Sequence, residues 1–408
     1  MVGTRHHGAA SRQNPLIETI AARFHRSSRG LGPTASRTGP SERRYVAALL
    51  RSAGVDLDGV HPWDPRVHDE RLFRRILGGG TLAVGEAYMD GWWDCDRIDE
   101  LVARMLAARV DRTIRTWRDA AAFVRANLWN AGRRSQAFAI GEHHYDLGND
   151  LFGAMLDPYM TYSCAYWKDG SDLDAAQEAK LDLVCRKLGL RPGMKVLDIG
   201  CGWGSFAIFA AERYGVRVVG VTVSAEQQRL ATDRGHGLPV EFRLQDYRDV
   251  AERFDAVVSI GMFEHVGSKN YGTYFEVARR CLGEGGLFLL HTIGSHKSSP
   301  AGDRWITRYI FPGSHIPSAV EITRAIGHSF VVEDWQNFGA DYDRTLLAWE
   351  QRFTARWTDL RTRYDERFRR MWRYYLLSCA GAFRARQLQL WQIVLSKGVL
   401  AGGYRAVR

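Results

Sequence analysis

The sequence predicts an α/β protein: a doubly wound, mostly parallel sheet with a smaller, mainly helical domain ahead of it. Three observations carry this. Val196, Leu197 and Ile199 form a short apolar run between Pro192-Gly193 and a glycine turn, as a strand buried on both faces reads. The turn itself, Gly200-Cys-Gly-Trp-Gly204, passes directly into Phe206-Ala-Ile-Phe-Ala-Ala-Glu212, whose apolar residues have helical spacing. Beyond it the pattern alternates, with strands expected over 216–223, 240–245, 254–260 and 286–293 and helices over 225–234 and 274–282. Alternating strands and helices imply parallel pairing with right-handed crossovers.

The elements ahead of that strand divide the chain. Residues 1–45 hold eight arginines against Glu18 and Glu42, and their Arg, Ser, Gly and Pro content predicts a basic, disordered tail. Within it Leu16, Ile17, Ile20 and Phe24 share one helical face, which fits a short interfacial helix. Residues 46–140 form the helical N-terminal domain. There 46–50 read as helix, 61–65 as a turn holding two prolines, and 72–77 as a helix that Gly78-Gly79-Gly80 should end. The aromatic and acidic stretch 85–96 reads as packing and capping, and 101–108 as an amphipathic helix. Residues 141–408 form the third unit, opening on a polar stretch, 142–150, and a helix over 173–188. Further on, 294–326 is more apolar than a loop requires and suits either core or a lid or acyl-chain groove. A last strand is expected at 387–395.

Composition bounds the function. No apolar run reaches the length of a membrane span, and no secretory leader opens the sequence. The six cysteines are scattered without metal-type or disulfide spacing, as in a reducing cytoplasm, so no metal site is expected. The formal net charge of +10 lies mostly in the tail and suits anionic lipid or nucleic acid.

Ligands of such sheets bind at the carboxyl ends of the strands, against a helix N-terminus. Asp198 precedes the glycine turn and suits a cationic or amine-bearing ligand better than a pyrophosphate. Ser205 also stands where a dinucleotide loop needs its third glycine. The turn resembles motif I of the class I S-adenosylmethionine-dependent methyltransferases. Cofactor contacts are then expected from Asp198, Gly200 and Gly202, and from Thr222 and Gln227, polar groups in reach of a ribose. Gln245, Asp246 and Tyr247 should meet the adenine edge, and Ile260 ends the fourth strand. Glu264 and His291 stand at neighbouring strand ends and are candidates for acid–base work.

Tyr162-Ser-Cys-Ala-Tyr-Trp167, Leu197-Asp-Ile-Gly-Cys-Gly-Trp-Gly204, Gly261-Met-Phe-Glu-His-Val-Gly267, Leu290-His-Thr-Ile-Gly294 and Gly339-Ala-Asp-Tyr-Asp-Arg-Thr-Leu346 together resemble the bacterial cyclopropane-fatty-acyl-phospholipid synthases and the related mycolic acid cyclopropane synthases. The similarity runs from about residue 46 to the end. It implies methyl transfer from S-adenosylmethionine to a cis double bond of a phospholipid acyl chain, followed by ring closure. It adds Tyr162 and Ser163 to the cofactor contacts. It also implies a bound bicarbonate as base, cradled by Cys164, Glu264, His291, the backbone of Ile293, and Tyr342. Cys379 matches a second family cysteine, although its apolar helical setting favours a packed thiol. Aromatic faces from Tyr166, Trp167 and Phe263 are expected around a carbocation. The implied partner is a bilayer with unsaturated acyl chains, met peripherally from the cytoplasmic side, and residues 46–140 would serve lipid binding or a homodimer.

Three other readings compete, the first a non-catalytic S-adenosylmethionine-binding scaffold, which would have no need for the whole set of Cys164, Glu264, His291 and Tyr342. A nucleic-acid methyltransferase acting on a base amine should carry Asn/Asp-Pro-Pro-Tyr after the fourth strand, where this chain has Met262-Phe-Glu-His265, so no nucleic-acid partner is expected. A lipid C-methyltransferase could stop at a methyl or methylene branch without closing the ring.

Overall fold

The computed structural model describes residues 39–110, 148–168, 172–299, 302–398, 400 and 402–408. The interfacial helix expected near residues 16–24, the polar residues 142–147 and the 140/141 boundary lie outside them.

Helix α1 (Gly39–Arg51) begins inside the stretch read as tail, and there the Arg43 guanidinium pairs with Asp58 and Glu70. A two-stranded ribbon, β1 (Arg66–Val67) and β2 (Trp93–Asp94), brackets α2 (Arg71–Met89). Gly78-Gly79-Gly80 ends the first part of that helix as expected: Gly80 leaves helical dihedrals (φ 62°, ψ −145°), and beyond this kink a second helical segment, not expected, runs on to Met89. Helix α3 (Ile98–Ala107) follows. Past the undescribed stretch come α4 (Asn149–Met155) and α5 (Leu173–Lys187), the latter capped by Asp172, which accepts from the Ala175 amide.

Next is the glycine-turn strand, β3 (Lys195–Ile199), and then α6 (Ser205–Tyr214), β4 (Arg217–Thr222), α7 (Ala225–Arg234), β5 (Val240–Leu244), β6 (Phe254–Ile260), α8 (Tyr271–Cys281) and β7 (Leu282–Ser295). The expected boundaries hold within a few residues. Strand order in the main sheet is β5-β4-β3-β6-β7-β9-β8. The first five strands pair in parallel, and β9 (Leu388–Ser396) and β8 (Val331–Asn337) close the sheet antiparallel. The chain winds outward from β3 to β5 and returns to β6, so the switch in direction falls between β3 and β6, where such sheets hold ligands.

Strand β8 was not expected. Its sequence, Val-Val-Glu-Asp-Trp-Gln-Asn, lacks the apolar run of a central strand, and as an edge strand it leaves Val331 and Val332 exposed. The excursion 294–326 contains two helices, α9 (Arg304–Tyr309) and α10 (Ala319–Ile326), the second with a Ser318–Glu321 capping box. Trp305 and Ile310 are fully buried there, so of the readings for this segment core holds at those two residues.

Helices α11 (Gly339–Ala355) and α12 (Glu366–Arg384) join the sheet to the N-terminal helices. Glu42–Arg408 form one compact unit. Arg384 of α12 binds Asp99 and Glu100 of α3 and Asp343 of α11, at 2.7–3.1 Å. At the crossing of α12 and α3, a Cβ on Gly381 would lie 2.4 Å from the Asp99 carbonyl oxygen and 3.1 Å from the Ala103 amide nitrogen. Alanine gains up to about 1 kcal/mol over glycine inside a helix. A clash with backbone costs more, because neither helix can yield locally. Gly381→Ala is therefore expected to destabilise by roughly 1–3 kcal/mol in denaturant unfolding; a variant as stable as the parent would contradict this packing.

Candidate active site

The glycine turn opens a cavity of about 190 Å³ at the β3/β6 switch point. Gly200 has φ 81°, and a Cβ there would lie 2.6 Å from the Met262 side chain, so both conformation and space require glycine. Asp198 is buried beneath the turn, and burial raises its carboxyl to about 7. Thr222, at the end of β4, donates to Gln227 Oε1 (3.0 Å), and the Ser224 hydroxyl caps α7 by accepting from the Gln227 amide. Asp246 accepts from the Arg248 amide at 3.0 Å and from its guanidinium at 2.6–2.8 Å. All eleven expected cofactor residues, from Tyr162 and Ser163 to Ile260, border this one cavity.

Residues 161–167 reach the site clamped between two helices. From α5, Gln177 Nε2 donates to the Ser163 carbonyl (2.8 Å) and the Lys180 ammonium to the Ser163 hydroxyl (3.0 Å). From α11, the Thr345 hydroxyl accepts from the Ala165 amide (3.1 Å) and from Trp167 Nε1 (3.0 Å). Cys164, between the clamps, is fully buried; its thiol donates to the Ala165 carbonyl (3.1 Å), and burial raises its pKa well above the usual value. It is a thiol here, not a thiolate nucleophile.

Beside the cavity, Glu264 follows β6 and is buried. Its Oε1 accepts from the Ile293 amide at the end of β7 (2.6 Å), while Oε2 is buried without a hydrogen-bond partner. Burial pushes this carboxyl up to about 7, against the lowering pull of the Ile293 amide. His291, one residue pair further back on β7, is buried with Nδ1 3.3 Å from Gln392 Nε2 and with Nε2 unpartnered. Burial first, and the positive charges of Lys180 and Lys187 second, keep it neutral. A Gln392 amide that donates to Nδ1 leaves the ring proton on Nε2. The Tyr342 ring on α11 lies 4.6 Å from Phe383, and its phenol is raised by burial and by the fields of Cys164 and Glu264. Glu264 and Ile293 are thus in direct contact, and His291 and Tyr342 are buried in the same neighbourhood. Cys379 on α12 is partly exposed, and desolvation still raises its thiol to about 12.

Two of the aromatics expected around a carbocation are otherwise engaged. Phe263 turns into the core and stacks on Tyr271 at 4.1 Å. The Trp167 face already carries the Arg344 guanidinium, 4.4 Å from the ring centroid. A tyrosine pair is present instead, Tyr162 and Tyr375, with hydroxyls 2.9 Å apart. Lys180, Trp203, Met262 and His265 also border the cavity and were not expected. Lys180 carried a readable signal, a lysine three residues after Gln177 within the apolar stripe of α5.

Glu264 makes stability depend on pH. Its folded pKa lies above the unfolded value of about 4.3, so its contribution is full below that value and is lost as pH rises through about 7. Relative to Glu264→Gln, which keeps the acceptor for Ile293, the ligand-free parent should lose roughly 3 kcal/mol between pH 4.5 and 7.5. Unfolding of both proteins across that range checks this, and a constant difference would contradict it.

Residues 133–393 match the family model for mycolic acid cyclopropane synthetase. The chain is 52% identical to the cyclopropane-fatty-acyl-phospholipid synthase of Escherichia coli K12, over 90% of this chain and 96% of that one. It is 36% identical to the tuberculostearic acid methyltransferase UfaA1 of Mycobacterium tuberculosis, over 85% and 87% of the two chains. The crystal structure of the mycolic acid cyclopropane synthase CmaA1 with SAH and CTAB superposes with a TM-score of 0.60 at 35% identity, covering 64% of this chain and 98% of that one. The glycine turn, the clamped Ser163–Cys164 segment and the buried Glu264–Ile293 contact accordingly belong to an S-adenosylmethionine-dependent methyltransferase, a member of the mycolic acid cyclopropane synthetase family.

Proposed function

We propose that the protein is a cyclopropane-fatty-acyl-phospholipid synthase, which adds one CH₂ from S-adenosylmethionine across a cis double bond of a phospholipid acyl chain. The observation that carries the chemistry is that Glu264 Oε2, on the turn after β6, and His291 Nε2, on the neighbouring strand β7, are both buried without a partner. Buried polar atoms in native proteins are rarely unpaired, so two on adjoining strands support a ligand there. One is an acceptor when ionised and the other a donor, and a hydrogencarbonate ion, with one O–H and one charged oxygen, fits that set. The same residues would serve a dry site, since water would trap a carbocation as an alcohol.

In this reading Asp198, Ser163 and the polar groups at the ends of β4 and β5 orient the cofactor. Glu264, His291 and Tyr342 hold the anion, with Cys164 closing the cradle as a neutral thiol. Ile293 fixes the Glu264 rotamer through its amide. S-adenosylmethionine would supply an electrophilic methyl group and bicarbonate a weak base. A weak base suffices because a proton on carbon beside a cationic centre is strongly acidic. No helix among the described residues is long and apolar enough to cross a membrane, which suits peripheral docking on a bilayer. Stopping at a methyl or methylene branch is the alternative; a base at the new methyl group serves ring closure and methylene formation alike, so the product decides between them.

The test is to incubate the protein with unsaturated phospholipid vesicles and labelled S-adenosylmethionine, then weigh the fatty esters. The expected product is heavier by one CH₂ with no carbon–carbon double bond left to oxidise. A saturated methyl branch, two hydrogens heavier still, would overturn ring closure. Glu264→Gln should lower kcat by roughly 100-fold and leave S-adenosylhomocysteine affinity within twofold, because the cofactor groups are untouched.

A further inference from the structure

Helix α5 buries a cation that the reaction above does not use. Lys180 is only 1% exposed, yet it borders the cofactor cavity. Its ammonium donates to the Ser163 hydroxyl at 3.0 Å, and no other hydrogen bond of it is found among the described residues. An ammonium has three donors, so this one is under-used for a group so deeply buried, which normally requires a partner. One turn earlier on the same face, Gln177 holds the Thr161 and Ser163 carbonyls at 3.4 and 2.8 Å. Gln177 and Lys180 at i and i+3 therefore grip the strand of chain that carries Ser163, main chain with one and hydroxyl with the other. The carboxylates of Asp157 and Asp198 act on the ammonium from two further elements, the turn after α4 and strand β3. Both aspartates are buried.

We propose that Lys180 is a cofactor-positioning residue: it fixes the Ser163 hydroxyl and balances the Asp198 carboxylate so that the pair can receive the amino-acid end of S-adenosylmethionine, whose carboxylate and amine need a cation and an anion side by side. Without the ammonium, Asp198 would be a buried carboxylate with no positive neighbour and would take up a proton, losing its hold on the amine. Burial already draws the two groups together, with Lys180 lowered to about 8 and Asp198 raised to about 7. A cation kept only for packing would have no reason to border the cavity or to bond the side chain of Ser163.

The inference rests on the methyltransferase reading, and its test separates the two. S-adenosylhomocysteine binding is measured by calorimetry for the parent, for Lys180→Met, which keeps the length and loses the charge, and for Lys180→Gln, which keeps a donor for Ser163. Circular dichroism and thermal unfolding establish that each is folded. The expected result is a loss of affinity of roughly tenfold or more for Met and a smaller loss for Gln. KM for S-adenosylmethionine should rise in step, while KM for lipid vesicles stays within twofold. If Lys180→Met does not fold, the Gln variant decides alone, by the same loss. A folded variant that binds as tightly as the parent overturns the role of Lys180 and leaves the enzyme reading intact. A parent that binds no S-adenosylhomocysteine overturns both.

Discussion

The carboxyl group of Glu264, taken out of water and fastened to the Ile293 amide at 2.6 Å, is the contact on which the site depends. It joins the turn after β6, the strand next to the glycine-turn strand β3, to the end of β7 on its other side. It also fixes one oxygen and leaves the other without a partner. Burying an ionisable group costs several kcal/mol unless hydrogen bonds or charges offset it. The Ile293 amide, helped by Glu264's own amide and the Thr292 hydroxyl, offsets part of that, and the remainder appears as a carboxyl raised to about 7. The fold holds that unrelieved acceptor in place because both flanking strands belong to the parallel core of the sheet.

The charge around it is arranged in depth. His291 stays neutral under burial and the fields of Lys180 and Lys187. Cys164 and Tyr342 keep their protons for the same desolvation reason. On the cofactor side Asp198 and Lys180 oppose one another across a buried gap. The site thus has donors with their protons on, one unsatisfied acceptor, and few charges to attract water, a sensible surrounding for a cation formed on carbon.

Much of this was legible because it is local. A glycine turn between an apolar strand and a helix needs only a dozen residues to declare itself, and the polar residues at each strand end follow from the alternation. The nine cofactor residues expected from the turn and the strand ends border one cavity for that reason, and Tyr162 and Ser163, expected from the family resemblance, border it too. What was not legible is decided by tertiary packing. Strand β8 pairs only with β9, and its mixed sequence has no period to read. The helix stop at Gly80 could be read locally, but the second helical segment after it could not: there Trp305 packs against Gly85, where a Cβ would lie 2.4 Å from the indole. The family resemblance implies a chamber for which Phe263 and Trp167 are candidates, but Tyr271 and Arg344 cover their faces, and no sequence pattern states which way a ring turns. Lys180 was passed over because a lysine in a helix is ordinarily a solvated one.

The most direct measurement of the central claim is turnover in buffer stripped of carbon dioxide, with bicarbonate then added back. A cradle built from Glu264, His291 and the Ile293 strand end predicts that cyclopropane formation falls several-fold on depletion and returns on addition, with KM for S-adenosylmethionine unchanged throughout. Undiminished ring formation in depleted buffer would contradict it, since the unpartnered acceptor and donor would then have some other occupant.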